Sequence, residues 1–146
     1  MKIVSSLALV VAVGWISGCA TSPQQIASVP LNATPSNAGN VGKAMLTPIG
    51  KDTELYVFVG GVPNDTTLPA HFYTYVYSGT CGNLSPEPAF ALNQSVNTEF
   101  NQPDVGFQLW KRVPVAYDTL RSGSYAVVVR ASPADGNRDI FCGNLG

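Results

Sequence analysis

The chain has 146 residues, 12% of them charged, and a net charge of −1, which suits one folded domain and leaves no length for two. With no basic run and almost no net charge, it lacks the electrostatic footprint of a protein that binds nucleic acid or anionic lipid headgroups. Eleven prolines, fourteen glycines and three cysteines fit a small, turn-rich, exported domain.

The first residues read as a processing signal. Lys2 is a minimal positive start, Ile3 to Ile16 is apolar except at Ser5, Ser6 and Gly14, and Ser17-Gly18 are the small residues a signal peptidase requires. The stretch falls short of the roughly 20 apolar residues of a membrane-spanning helix. Ile16-Ser17-Gly18-Cys19 resembles the lipobox of bacterial lipoproteins. That resemblance implies removal of residues 1–18, with Cys19 as the first mature residue carrying thioether-linked diacylglycerol and an amide-linked acyl chain. Acyl chains at about 0.8 kcal/mol per buried methylene would anchor the protein to a membrane without any spanning helix. The alternative is an ordinary secretory signal with an incidental cysteine. Ala20 stands where the inner-membrane retention signal of such lipoproteins has Asp, so the resemblance implies the outer membrane.

Residues 19–40 are low in charge, rich in Ser, Pro, Asn and Ala, and without a sustained apolar period, which predicts a flexible acylated tether ahead of a folded domain at 41–146. Lys43 to Ile49 is a first strand interrupted by Pro48, and Glu54 to Val59, apolar on both faces, is a central second strand. Gly60 to Asp65 is a turn cluster. His71 to Tyr77 alternates aromatic and β-branched residues as a third strand, closed by Ser78-Gly79. Ala89 to Leu92 and Phe107 to Trp110 are short strands, and Val113 to Tyr117 is an edge strand because Pro114 withholds a ladder donor. Ser124 to Ala131 is the clearest strand, and Asp139 to Cys142 closes the chain. No helical period appears after the signal. The fold class is therefore all-β: an antiparallel sandwich or Greek-key barrel.

Once Cys19 is acylated, Cys81 and Cys142 remain, and in an oxidising compartment a disulfide between them is the default. A reactive thiol or a metal pair is the other reading, but no third soft ligand lies nearby in the sequence.

Two stretches carry a family resemblance. The first is Tyr75-Val76-Tyr77-Ser78-Gly79-Thr80-Cys81-Gly82-Asn83-Leu84-Ser85-Pro86, and the second is Leu120-Arg121-Ser122-Gly123-Ser124-Tyr125-Ala126-Val127-Val128-Val129-Arg130-Ala131-Ser132, followed by Phe141-Cys142-Gly143. In order, spacing and cysteine pair they resemble copper/zinc superoxide dismutase-like domains. The resemblance implies a superoxide dismutase-like sandwich, with an immunoglobulin-like one as the neighbouring possibility. It also implies that Tyr75, Tyr77 and Arg130 occupy the positions of the family's copper histidines, while its zinc-loop histidines have no counterpart. Copper of this type requires several neutral nitrogen ligands, which two tyrosines and a guanidinium do not supply, so neither a metal nor superoxide dismutation is expected.

No Gly-x-Ser-x-Gly elbow, phosphate loop or His-Glu-x-x-His motif is present, and the single histidine, His71, would have to carry any triad. No catalytic residue and no cofactor are expected. Period-two alternation places Tyr73, Tyr75 and Tyr77 on one face of their strand, joined by Arg130. Tyr and Arg suit a recognition surface for a protein or glycan partner. Equally, these tyrosines can fill the space between strands and stabilise the sheet through aromatic and cation–π pairs. The sequence thus reads as a non-enzymatic, membrane-anchored lipoprotein acting as an envelope interaction module. The alternative is a metal-binding protein or enzyme with a non-standard site around His71.

Overall fold

The structure, a computed structural model, describes Gly18 and residues 24–94, 97–99 and 105–146. The apolar stretch expected to be a signal, up to residue 17, and Cys19 therefore lie outside the described residues. Among those described, the strands are β1 (Ala27–Ala33), β2 (Gly42–Ile49), β3 (Asp52–Val59), β4 (Ala70–Thr80), β5 (Asn83–Ala91), β6 (Asn97–Glu99), β7 (Phe107–Val113), β8 (Tyr125–Ala131) and β9 (Asp139–Asn144), with one short helix, α1 (Tyr117–Ser122). Every pairing is antiparallel. The strands run in the order β5-β4-β8-β9-β1-β2-β3-β7, with β6 beside the start of β4. The all-β antiparallel expectation therefore holds.

Alternating side chains create the core. Leu55, Val57 and Val59 of β3, Phe107, Leu109 and Val113 of β7, Phe72 and Val76 of β4, and Val127 and Val129 of β8 all point inward and are buried. Burying each such side chain contributes about 1.5–3 kcal/mol. The sheet curls into a half-barrel. The Phe72 ring on the second strand of the order meets the Phe107 ring on the last at 4.9 Å, edge to face. At the corner of the curl, β1 pairs with β2 through Ala27–Leu31 and passes to β9 at Asn32 and Ala33.

Three expectations are corrected here. The tether predicted over 19–40 contains β1, whose Ala27, Val29 and Leu31 are buried and whose last residues join β9, so the folded domain begins well before residue 41. The edge strand predicted over 113–117 is absent: β7 ends at Val113, the Val115 N–H turns back to the Val113 carbonyl at 2.8 Å, and Tyr117 opens α1. Asp118 in its first turn and Arg121 in its last complement the helix dipole, and Leu120 is buried. The strand predicted at 89–92 starts earlier, at Asn83, because β5 returns directly from β4.

The β4–β5 turn does more than reverse the chain. Cys81 at its tip is bonded to Cys142 on β9, and β8 lies between β4 and β9, so the linkage crosses the outer face of β8. The Cys81 N–H donates to Asn144 Oδ1 at 2.8 Å and the Gly79 N–H to the Ser124 carbonyl at 2.9 Å, fixing the turn in place. Gly79 sits at φ +104°, and a Cβ there would come within 2.3 Å of the Asn83 carbonyl oxygen, so a side chain is not tolerated. Beneath this cover Tyr77, Ala126 and Val128 are buried, although they face away from the main core. The expected disulfide is therefore present and creates a second, smaller apolar layer.

At one end of the sheet, the β3–β4 loop is pinned to the turn between β8 and β9. Asp135 accepts the Thr67 N–H at 2.9 Å and the Ser132 hydroxyl at 3.0 Å, and Arg138 meets Asp65 at 2.8 Å. Hydrogen bonding from Thr67, its side chain foremost and its backbone N–H after it, holds the Asp135 carboxyl below the usual carboxylate range.

Reducing the disulfide frees a loop of 61 residues and is expected to cost about 4 kcal/mol by the chain-entropy relation, read as the shift in urea midpoint with and without reductant. Unchanged stability would show that the staple carries no load. Thr74 is fully buried on the core side of β4, and its hydroxyl has no hydrogen-bond partner among the described residues. Thr74→Val keeps the shape and removes the unpaired group, so it is expected to raise stability by about 1 kcal/mol in the same assay.

Candidate functional site

The outward face of β4 carries His71, Tyr73, Tyr75 and Tyr77, as the alternation predicts. Register places Tyr73 opposite Arg130 and Tyr75 opposite Val128 on β8. Arg130 in turn faces Asp139 on β9, next to a register shift that lets Ile140 and Phe141 both enter the core. The structure joins three of the predicted residues in one cluster. The Arg130 guanidinium lies 4.9 Å from the centre of the Tyr75 ring, donates to the Tyr77 hydroxyl at 3.2 Å and pairs through Nε with Asp139 Oδ1 at 2.6 Å. The Tyr75 and Tyr77 rings are 6.2 Å apart.

The Asp139 hydrogen bond outweighs the cost of partial burial and raises the Arg130 pKa above its ordinary value, so the cation is permanent. Tyr77 is only 7% exposed, and its hydroxyl is engaged. Tyr73 and Tyr75 remain half-exposed. The cluster therefore spends its aromatic and cationic groups on one another, leaving Tyr73 as the least committed of the four predicted face residues. His71 is half-buried at the β6 end of the strand, opposite Thr98. Among the described residues no group of three or more His, Cys, Asp or Glu side chains is placed to hold a metal ion. A fixed guanidinium charge against Tyr75 and Tyr77 also opposes a dication at that point.

The other half of the sheet presents a second aromatic face. Residues alternating with the core positions of β2, β3 and β7 form cross-strand rows on the solvent side: Met45, Tyr56 and Trp110 in one, and Lys43, Phe58 and Gln108 in the next. Thr47, Glu54 and Arg112 make a third row on the opposite side of the first. Trp110 is 56% exposed, and its ring lies 5.2 Å from that of Tyr56 at a tilt of 58°. On the far side of Trp110 is a cleft of about 290 Å3 lined by Ala91, Leu92, Gln94, Lys111, Arg112 and Pro114. Lys111 belongs to the inward row of β7 and is buried, which pushes its ammonium pKa down.

This face is absent from the sequence reading, which ended the strand at Trp110 and took the apolar second face of residues 54–59 as covered. The signal was nevertheless there. Phe107, Leu109 and Val113 alternate with Gln108, Trp110 and Arg112, which sets Trp110 among polar, outward residues. The strand is indeed internal to the sheet, between β2 and β7, but Tyr56 and Phe58 are only half-buried, and no second layer covers them among the described residues.

Titration of the chain with Cu2+ and Zn2+ is expected to show no site tighter than about micromolar, roughly −8 kcal/mol. Stoichiometric binding in the nanomolar range that disappears in His71→Ala would contradict this donor-set argument. Comparison with family models, with curated proteins and with solved structures returns no match for this chain.

Proposed function

We propose that this protein is a non-enzymatic, lipid-anchored module of the bacterial envelope, exported and held at the outer membrane through Cys19, which binds a partner with an open sheet face. The observation that carries the binding role is the pair of exposed Trp110 and half-buried Tyr56 on the outer side of β3 and β7, bordered by Lys43, Phe58, Gln108, Glu54 and Arg112. Large aromatics set among hydrogen-bonding groups form the composition of recognition surfaces. The lipobox-like Ile16-Ser17-Gly18-Cys19 supports the anchor. A superoxide dismutase-like or immunoglobulin-like sandwich is the fold identity we propose for the half-barrel. It is supported by the contact among Tyr75, Tyr77 and Arg130, the positions that match the family's copper ligands, and by the bonded cysteine pair. Those positions now stabilise the sheet, leaving recognition to the opposite half.

Two measurements test this reading. Labelled palmitate is expected to enter the wild-type chain and to be lost in Cys19→Ala; equal labelling would contradict the anchor. Delipidated envelope material is expected to co-sediment with the wild-type chain, and Trp110→Ala to lower the bound fraction at least fivefold. Equal retention of wild type and variant would remove the recognition role from this face.

A further inference from the structure

We infer that the Tyr56 and Trp110 face, taken as the recognition surface proposed above, binds an acidic polysaccharide: pyranose rings stack on the two aromatics and a carboxylate substituent reaches Arg112 at the adjoining cleft. The shape of the patch is the first argument. The apolar row of Met45, Tyr56 and Trp110 is bounded on one side by Glu54 with Arg112, and on the other it widens by a single ring, the half-buried Phe58, which lies between Lys43 and Gln108. Neighbouring strands lie about 4.8 Å apart, so the three-strand row makes a ribbon roughly 10 Å long. A protein partner of standard affinity requires an apolar centre within some 800 Å2 per side, far broader than such a ribbon. A sugar chain has the matching cross-section, with C–H faces above and below and hydroxyls around its rim.

Chemistry is the second argument. The face of an aromatic ring is negative and attracts the polarised C–H groups of a pyranose, while planar Gln108, Glu54 and Arg112 side chains are suited to adjacent hydroxyls. Charge is the third. The cleft that continues the ribbon past Trp110 is lined, among the described residues, by Gln94 and Arg112 with no carboxylate, and Arg112 brings it an exposed cation that complements an anion. The contact of Arg112 with Asp52 is long, at 3.9 Å, and its side chain is 63% exposed. A lipid surface is a poorer match, because Glu54 and Asp52 sit among Lys43 and Arg112 and leave no uniformly positive face.

The test uses the chain expressed with Trp15→Phe, in detergent micelles, so that Trp110 is the sole tryptophan whether or not residues 1–18 are removed and its fluorescence reports on the face directly. The probes are glycan-strand fragments of peptidoglycan, whose alternate pyranoses bear a carboxylate, and chitin oligosaccharides of the same linkage, which bear none. The expected result is saturable change in Trp110 emission with both, and at least fivefold tighter binding of the carboxylated strand. Arg112→Gln is expected to erase that preference while retaining the binding of the neutral chain. Tyr56→Ala, followed by the same emission, is expected to weaken both probes at least tenfold while the chain stays folded by its unchanged far-ultraviolet circular dichroism, and Tyr56→Phe to restore most of the loss. No saturable change with either probe, or equal binding of the two, overturns the inference. If the glycans fail to bind while envelope material still sediments in a Trp110-dependent manner, the polysaccharide is the wrong partner and the recognition face stands. If both fail, the face itself is refuted.

Discussion

Cys81 and Cys142 lie on opposite sides of β8, and the bond between them can close only by carrying the β4–β5 turn across that strand. The outer side of the β4, β8 and β9 sheet half consequently has its own cover. Val128 and Ala126, which the alternation turns away from the main core, are sealed beneath it, and Tyr77 is held with its hydroxyl against Arg130. The same bond fixes β9, the strand on which β1 completes the corner of the curl. One covalent constraint thereby supports both the second apolar layer and the geometry that brings β4 and β7 together at Phe72 and Phe107.

This arrangement divides the molecule into two unlike halves. Around β4, β8 and β9 the outer groups satisfy one another: guanidinium with carboxylate, guanidinium over a ring, hydroxyl with guanidinium. In such half-buried pairs the charge-assisted hydrogen bonds and the cation–π contact offset the cost of the water the partners lose. Around β2, β3 and β7 no comparable cover exists among the described residues, and Trp110 stands out from the sheet beside Tyr56. Trp110 and the half-buried Tyr56 beside it make this open side the one on which the proposed recognition role rests.

The alternation of β4 was legible in the sequence because its residues obey period two, β8 was legible as a run of β-branched residues, and the cysteine pairing was legible because only Cys81 and Cys142 lie beyond the N-terminal stretch read as a signal. β1 was harder. Ala27, Val29 and Leu31 alternate with Ser28, Pro30 and Asn32, but proline and the polar composition read as linker; Pro30 is tolerated because β1 pairs with β9 only beyond it, so its missing donor interrupts one ladder rather than two. The residues of α1 look like strand or loop in isolation, since six residues make too few turns to display a helical period. The path of the turn over β8 depends on the strand order, which no local pattern encodes. Lys111 lay beyond the strand read as ending at Trp110, and its register with Leu109 and Val113 buries it.

Hydroxyl-radical footprinting of the oxidised and reduced chain tests the central claim, that the staple covers one half of the sheet and leaves the other open. Trp110 and Tyr56 are expected to be modified readily in both states, whereas Tyr77 is expected to be protected in the oxidised chain and to become reactive on reduction, with Phe72 in the main core protected throughout. Equal modification of Tyr77 before and after reduction, or protection of Trp110 in the free protein, would contradict the account.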